Sequence, residues 1–247
     1  MHRILLVAAL AISALRADVC DPRKFGGTYG FLLYGETTIS GTARPTASMG
    51  HLAFREDGSV SGYSSAHFAG ILQGNPTTGK YETHDDCSVA WSLQDDSGAF
   101  QHFAGTMNPN GQRIVFRQSD PGGPTNGLMV RTPETCSLAA LRPRYRFTLS
   151  GTIIPMQPGQ DGRKVSSSGT ARIGGNGKLW LDFSGHSSTQ GTVDVDEDCA
   201  VTMSLTLQSG EAMNLRGTLV DEGREILGIQ TDPGAAVTAR FTPAPAQ

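Results

Sequence analysis

The sequence lacks most of the features that indicate a particular class of function. Its 20 Lys and Arg residues form no basic run, and 23 acidic residues outnumber them. A nucleic-acid-binding protein normally presents a basic patch, and a helix that binds an anionic membrane surface is basic along one face. Because neither pattern occurs, we predict no nucleic-acid partner. No apolar stretch is long enough to span a bilayer.

Motifs for catalysis and metal binding are missing as well. There is no GxSxG, so the nucleophile elbow of the α/β-hydrolases is absent. There is no CxxC and no closely spaced pair of histidines, which disfavours a zinc site. Acidic turns such as Asp85–Asp86 fit no EF-hand spacing. We therefore predict no catalytic residue, no metal site and no cofactor, and we leave open whether the protein is an enzyme.

The first residues have the pattern of a secretory signal peptide. His2 and Arg3 precede an apolar run of about a dozen residues, which is the length of a signal core. We expect cleavage after residues 1–17 and a secreted or periplasmic protein. Loss of Arg3 and Arg16 would leave 18 basic and 23 acidic residues, a net charge of −5. Val19 before Cys20 disfavours lipidation.

What the sequence does contain is a repeat. Residues 85–93 read DDCSVAWSL, and residues 197–205 read EDCAVTMSL. The cysteines of the two copies lie 112 positions apart (199 minus 87), and this spacing holds as far as SDPG and TDPG, which begin at residues 119 and 231. The duplication predicts two copies of one folding unit, over residues 20–132 and 136–242.

Two earlier anchors have different spacings. Tyr29 and Tyr145 each follow a cysteine by nine residues, at an offset of 116 (145 minus 29), and GHLAFREDGSV matches GTARIGGNGKL at an offset of 119 (169 minus 50). The change from 119 to 112 implies seven extra residues in the first copy, around Leu72–Thr78.

Four cysteines in an exported protein are most simply two disulfides. Three connectivities are possible. Only Cys20–Cys87 with Cys136–Cys199 both treats the repeats alike and keeps each bridge within its own domain, so we predict that pairing.

Composition and turn signals predict an all-β protein. The chain has 31 Gly and 13 Pro residues, and each repeat has about eight short runs suited to strands. The runs fall near 27–35, 47–56, 58–69, 79–85, 87–94, 99–107, 111–118 and 125–132, and near 145–154, 164–173, 177–186, 189–195, 199–207, 212–220, 224–230 and 235–242. Closely spaced antiparallel strands favour two tandem barrels of about eight strands, each with one disulfide; a sandwich is the alternative. The join at 133–143 includes a possible helical turn, CSLAAL.

Alternation along the strands assigns their faces, because successive side chains point to opposite sides. Val89, Trp91 and Leu93 should face the interior of the first barrel. The equivalent set in the second barrel is Val201, Met203 and Leu205. The same alternation puts His67 and its counterpart His186 on the outer face, so we expect both to be surface residues.

The two copies differ at a few interior positions. Leu179, Leu181 and Phe183 in the second correspond to Val60, Gly62 and Ser64 in the first, and Met213 corresponds to Gln101. Lost side-chain volume leaves either a cavity or a rearranged wall. We predict a ligand pocket in the first barrel near Gly62, Ser64 and Gln101, with Trp91 and Tyr29 as further contacts. The alternative is that the wall flattens and Trp91 fills the gap.

The order Cys…Tyr-x-Phe-x-x-x-Gly, an Asp-Cys strand and then (Ser/Thr)-Asp-Pro-Gly resembles a class of secreted bacterial β-barrel domains without an assigned activity. These domains are similar to calycin-type barrels, with a shape like that of allene oxide cyclase and dirigent proteins. The resemblance covers residues 20–242 and implies a barrel that encloses an apolar molecule. No catalytic residue of those enzymes can be matched here.

Three hypotheses for function follow. The leading one is a non-enzymatic exported protein that binds a small apolar ligand or serves as a surface or matrix component. The alternative is a cyclase or isomerase that acts inside the first barrel. The third is an interaction module that uses Tyr63, Phe100 and Trp180. The oligomeric state stays open.

Overall fold

The computed structural model describes residues 20–39, 41–68, 71–96, 98–122, 124–155, 162–185 and 188–245. Two closed antiparallel barrels of eight strands follow one another along the chain. In each, the first strand pairs with both the second and the last, so the sheet closes on itself. This confirms the predicted fold class and excludes the sandwich. The expected signal peptide lies outside the described residues.

Consecutive strands are hydrogen-bonded neighbours throughout. The first barrel consists of β1 Gly27–Ile39, β2 Thr42–Phe54, β3 Ser59–Phe68, β4 Ile71–Thr83, β5 Ser88–Asp95, β6 Phe100–Met107, β7 Arg113–Gln118 and β8 Thr125–Arg131. The second consists of β9 Arg144–Ile153, β10 Arg163–Ile173, β11 Lys178–Phe183, β12 Ser188–Val195, β13 Ala200–Thr206, β14 Ala212–Val220, β15 Glu225–Gln230 and β16 Ala235–Pro243.

The first barrel is longer at one end than the sequence pattern predicts. β1 was expected to end at 35 and β2 to begin at 47, but their pairing continues to Ile39 and Thr42. Gly35 has a φ of +147°, and Gly151 has +156° at the matching position, so glycine lets the strand bend without ending. The seven extra residues lengthen the β3–β4 hairpin: β3 continues to Phe68 and β4 begins at Ile71, whereas β11 ends at Phe183 and β12 begins at Ser188.

The predicted disulfides are both present. Cys20 is joined to Cys87 and Cys136 to Cys199, with Cα–Cα distances of 5.4 and 5.0 Å. Each bridge ties the start of a repeat to the turn before its fifth strand. In the chain-entropy model, closing loops of this length stabilises the fold by about 4 kcal/mol each.

One end of the first barrel is closed by a short 3-10 helix, Pro22–Phe25. The ring of Phe25 is fully buried and packs against Tyr29, Phe54 and Tyr81. In the second barrel a 3-10 helix at Leu138–Ala140 confirms the helical turn expected in the join. The interior residues assigned by alternation are buried in both barrels.

A third apolar cluster joins the barrels. It lies on the outer faces of their strands and consists of Leu32, Ala47, Met49 and Val130 from the first barrel with Val220, Leu227 and Ile229 from the second. Polar contacts accompany it: the Thr218 hydroxyl donates to the Gly50 carbonyl at 3.1 Å. The nearly buried Glu225 carboxylate accepts from Arg113 of the first barrel and Arg240 of the second.

This docking corrects the expectation for His67. The residue lies on the outer face of β3, as alternation predicts, but it is 0% exposed, because the second barrel covers it. Neither ring nitrogen has a hydrogen bond of ordinary geometry in the described structure, although the backbone of Gln230 lies close enough to favour the protonated ring. Burial dominates and lowers the pKa of His67. His186 lies outside the described residues.

Within the described ranges, no helix has the length and apolar character needed to cross a membrane.

Candidate functional site

The first barrel contains a cavity of about 150 Å³ in its interior. It lies at the end opposite the 3-10 helix, where β1, β3, β5 and β7 end. The described residues that line it are Phe31, Leu33, Thr37, Thr46, Ser48, Leu52, Ser64, Ala66, Gln73, Asn75, Thr77, Trp91, Leu93, Asp95, Gln101, Phe103, Phe116 and Gln118.

The deeper wall is aromatic. The Trp91 indole stacks on Phe103, with ring centroids 5.3 Å apart and an angle of 16° between the planes. Phe116 meets Trp91 edge-on at 5.0 Å. Phe54 meets it from the closed end at 6.2 Å. Such pairs hold one another in fixed orientations, so this part of the cavity has a defined shape.

The wall nearer the turns is polar, and part of its hydrogen-bonding capacity is unused. The Ser64 hydroxyl is 3.5 Å from the Asn75 carbonyl, at the limit of a hydrogen bond. Trp91 Nε1 and Thr77 Oγ1 are buried and have no partner among the described residues. Because both atoms are shielded from solvent, the polar groups open to a ligand are those of other lining residues, such as Ser64 and Gln101.

Three of the five predicted ligand contacts line this cavity: Ser64, Trp91 and Gln101. Gly62 lies in β3 but not in the lining. A Cβ atom there would come within 2.0 Å of the His51 carbonyl oxygen, so glycine permits the close approach of β2 and β3.

Tyr29 is at the closed end, away from the cavity. Its hydroxyl lies 2.9 Å from the Phe25 carbonyl and 2.7 Å from the Gly111 carbonyl, so it donates to one of them at a time. It also accepts from Arg131 at 2.9 Å. Burial raises the pKa of Tyr29 to about 12. Tyr145 closes the second barrel in the same way, through a bond of 2.7 Å to the Gly223 carbonyl.

Comparison of the two barrels adds further positions at which a polar residue of the first corresponds to an apolar residue of the second. Polar lining residues of the first barrel correspond to apolar residues of the second at five positions. The pairs are Thr37 and Ile153, Thr46 and Val165, Ser64 and Phe183, Asp95 and Leu207, and Gln101 and Met213. All five apolar residues belong to or pack against the core of the second barrel. These side chains occupy the positions that line the cavity in the first barrel, and Phe183 and Leu207 also line a pocket of about 360 Å³ at the same end of the second barrel.

Sequence reasoning missed Thr37, Thr46 and Asp95. The signal was available, because the repeat spacing of 112 pairs Asp95 with Leu207 (207 minus 95). It was missed because the strands were expected to stop short of 37 and 46, and because the Asp95–Asp96 pair looks like a solvated turn.

The SDPG turn of the first barrel lies beside the cavity, and the TDPG turn makes equivalent contacts in the second barrel. The Asp120 carboxylate accepts from the His102 backbone N–H at 2.6 Å and lies 2.7 Å from the His102 ring. Gln118, a lining residue, donates to it at 3.2 Å. Burial opposes ionisation, but the bonds from His102 and Gln118 outweigh it and lower the pKa of Asp120. Asp232 and Asn214 form the equivalent pair.

The chemistry of the lining is limited. Among its described residues, Asp95 is the only one with an acidic or basic side chain. Elsewhere in the described ranges, no three side chains of His, Cys, Asp or Glu converge as a metal ion would require. Tyr63 and Phe100, of the predicted interaction module, are 36% and 59% exposed, while Trp180 is half-buried beneath the Arg172 guanidinium.

No protein-family model matches the chain, and no curated protein matches it. Among solved structures, it is similar to transferrin-binding protein B from Haemophilus parasuis, with 7% identity, a TM-score of 0.34, and coverage of 87% of this chain and 75% of the other. A DUF3598-family protein of unknown function from Nostoc punctiforme has 12% identity, a TM-score of 0.26, and coverage of 90% and 96%. The hemagglutinin of Myxococcus xanthus, solved with a mannopentaose, has 10% identity, a TM-score of 0.17, and coverage of 86% and 99%. At such low TM-scores, these similarities assign no function.

Proposed function

We propose that the protein is an exported tandem barrel whose first barrel binds a small, mostly apolar molecule, and whose second barrel is a packed structural partner. The observation that carries this proposal is the exchange at five equivalent positions. Polar side chains line a cavity in one barrel, and larger apolar side chains that pack against the core occupy the equivalent positions in the other. An eight-stranded barrel is wide enough to hold one small ligand.

The size and lining of the cavity support a ligand of modest dimensions. An apolar cavity of about 150 Å³ accommodates a molecule of roughly the size of benzene. Here the aromatic wall of Trp91, Phe103 and Phe116 offers an apolar surface, while Ser64 and Gln101 offer hydrogen bonds nearer the turns. Ligand sites usually combine an apolar wall with a few polar groups that set orientation.

The proposal also includes export and the resemblance to calycin-type barrels. The two disulfides support an oxidising compartment, since such bonds rarely persist in the cytosol. We expect the mature chain to begin near Asp18 and to comprise repeats at 20–132 and 136–242. The closed, consecutive strand order is compatible with the resemblance to calycin-type and allene oxide cyclase-like barrels. The mass of the intact protein recovered from periplasm or medium tests the cleavage site; a mass that retains residues 1–17 would contradict it.

Fluorescence titration tests the binding proposal directly. The chain has two tryptophans, so the Trp180→Phe variant leaves Trp91 as the only tryptophan. We expect 2-phenylethanol to change Trp91 emission with saturation. The matched control adds Ser64→Phe, which introduces the residue that fills the second barrel, and it should abolish the response. An unchanged emission in the open barrel, or an equal response in the filled one, would contradict binding in this cavity.

A cyclase or isomerase remains the alternative, and it has less support. General acid–base catalysis commonly uses two groups of different proton affinity. Among the described lining residues only Asp95 has an acidic or basic side chain. An enzyme of this kind would lose turnover in the Asp95→Asn variant while it retained affinity, whereas a binding protein has no turnover to lose.

A further inference from the structure

A row of polar side chains crosses the outer face of the first barrel. Lys80 in β4 is paired with Ser92 in β5, and Ser92 is paired with His102 in β6. Directly paired residues of antiparallel strands point to the same face, so the three side chains lie side by side. Their sequence neighbours Trp91 and Phe103 point into the barrel, so the row points outward. All three residues line a shallow groove of about 430 Å³.

Asp120, in the SDPG turn after β7, fixes the orientation of the histidine ring. Its Oδ1 lies 2.7 Å from His102 Nδ1, and its Oδ2 accepts from the His102 backbone N–H at 2.6 Å. Because the bonds to this carboxylate lower the pKa of Asp120, the carboxylate is ionised at neutral pH and only accepts hydrogen bonds. Nδ1 of the neutral ring therefore carries the proton, and Nε2 is left to accept one. A carboxylate holds the base in this tautomer in Ser-His-Asp hydrolases.

The second barrel shows how side chains at these positions meet. The equivalents of the serine, histidine and aspartate, at an offset of 112 (204 minus 92), form a continuous chain of hydrogen bonds. The Ser204 hydroxyl donates to Asn214 Oδ1 at 3.0 Å, and Asn214 Nδ2 donates to Asp232 Oδ1 at 2.8 Å. A serine at this position therefore reaches the side chain opposite it, which reaches the aspartate of the turn.

Bracing of the turn does not require a histidine. Asn214 bonds Asp232 through its backbone N–H at 3.0 Å and through its side chain, the same two groups that His102 uses. Asparagine cannot act as a base. The lysine of the row is replaced as well, because its equivalent is Thr192 (192 minus 80). Only the first barrel therefore carries a base and an ammonium group on the two sides of the shared serine.

We propose that Ser92, His102 and Asp120 form a hydrolytic site for small esters on the outer face of the first barrel, with Lys80 beside the reacting carbonyl. This activity is separate from ligand binding in the cavity and does not depend on it. Ser92 has no hydrogen bond among the described residues, so its hydroxyl is free to turn towards the ring. Catalytic hydrogen bonds commonly tighten only when substrate is bound.

The reaction follows from the placement of these groups. His102 Nε2 takes the hydroxyl proton as Ser92 Oγ attacks the ester carbonyl carbon, and the Lys80 ammonium stabilises the charge that develops on the carbonyl oxygen. The intermediate then expels the alcohol, which receives the proton from His102 and leaves the acyl group on Ser92. Water, which gives a proton to the same ring nitrogen, attacks this acyl group, releases the carboxylic acid and restores the serine. The open groove suits a small ester, because an alcohol leaves more readily than the amine of a peptide.

Covalent labelling tests the site without knowledge of the natural substrate. Diisopropyl fluorophosphate reacts with a serine that an adjacent base activates, and mass spectrometry of peptides from the full-length protein identifies the modified residue. We expect the label on Ser92 and not on Ser204, which is the matched control within the same molecule.

Two variants that copy the second barrel identify the contributing groups. His102→Asn retains donors for both bonds to Asp120 and should slow labelling of Ser92 about a hundredfold, because the base is lost. Lys80→Thr should slow labelling about tenfold, since an exposed ammonium stabilises the developing charge less than a buried donor does. Hydrolysis of 4-nitrophenyl acetate should fall in both variants, and most in Ser92→Ala.

The outcomes are distinct from those for the cavity. Labelling of Ser92 that depends on His102 supports the hydrolytic site. The proposal is overturned by the absence of label on Ser92, by equally rapid labelling of Ser204, by unchanged labelling in His102→Asn, or by unchanged ester hydrolysis in Ser92→Ala. Unchanged rates in Lys80→Thr would overturn the role given to the lysine. The first comparison needs no variant, so it holds even if His102→Asn folds poorly.

Discussion

Filling the cavity with the residue found in the second barrel should stabilise the first barrel. The change is Ser64→Phe, which copies Phe183. Residual cavity volume costs about 24 cal/mol per Å³, so a cavity of about 150 Å³ sets a ceiling near 3.6 kcal/mol for complete filling. One phenylalanine fills only part of the space, and the serine hydroxyl loses a contact at the limit of a hydrogen bond. We therefore expect a gain of about 1–2 kcal/mol.

Urea unfolding with the disulfides intact measures this gain. In the Trp180→Phe background, Trp91 emission reports on the first barrel alone, so the shift in its midpoint gives the change in unfolding free energy. The reverse change, Phe183→Ser, is the matched control; because it lies in the second barrel, its unfolding is followed by Trp180 emission in a Trp91→Phe background. Phe183 packs edge-on against Phe147 at 5.0 Å and is half-buried, so its loss should cost about 2–3 kcal/mol.

The opposite result would refute the reasoning. If Ser64→Phe destabilises the first barrel by more than about 1 kcal/mol, the space is too small for the ring and overpacking dominates. Unchanged binding of 2-phenylethanol in that variant would show that the ligand lies elsewhere. Together these results would favour the alternative in which the wall rearranges and Trp91 occupies the gap.

Three further predictions concern the interface between the barrels. Burial lowers the pKa of His67, so near pH 6.5 the unfolded chain takes up a proton that the folded chain resists, and the free energy of unfolding should fall as the pH drops below that value. The His67→Leu variant should therefore show a smaller change in urea midpoint between pH 8 and pH 5 than the wild type. An identical pH dependence in the two proteins would contradict this. Glu225→Gln should lower the free energy of unfolding, measured with urea, by about 2–3 kcal/mol, because it leaves Arg113 and Arg240 without their shared carboxylate. A change under about 0.5 kcal/mol would mean that solvent screens the carboxylate. Gly30→Ala places a Cβ atom 2.6 Å from a methyl group of Val220 and should lower the free energy of unfolding by about 1–3 kcal/mol. Its control is Gly175→Ala, whose added Cβ meets nothing within 4 Å and should change stability little. Equal losses of thermal stability in the two variants would count against close docking of the barrels.

The cavity could be predicted only in part, for a geometric reason. Alternation identifies inward-facing residues, and it selected Ser64, Trp91 and Gln101 correctly as interior positions. Alternation does not show how far along the barrel axis each interior residue lies. Tyr29 is also an interior residue, but it lies at the end closed by Phe25, and that closure depends on how the N-terminal segment folds back over the barrel.

The surface through which the barrels dock is visible in the sequence only when the outward-facing residues of the two repeats are compared. Outward-facing Leu32, Met49 and Val130 correspond to Thr148, Ser168 and Thr242 in the second repeat. Only the first repeat therefore carries an apolar outer patch on β1, β2 and β8. A single outward apolar residue is common on strands and carries little information by itself. The patch becomes recognisable only when the outer faces of both repeats are compared.

The sequence by itself determined the duplication, the strand alternation, the disulfide pairing and the class of barrel. These properties depend on short-range periodicity and on the comparison of two copies, both of which can be read along the chain. The tertiary structure decided at which end of the first barrel the cavity lies and which outer faces of the two barrels meet. Those properties depend on contacts between residues far apart in the chain, such as Gly30 with Val220, and no local pattern encodes them.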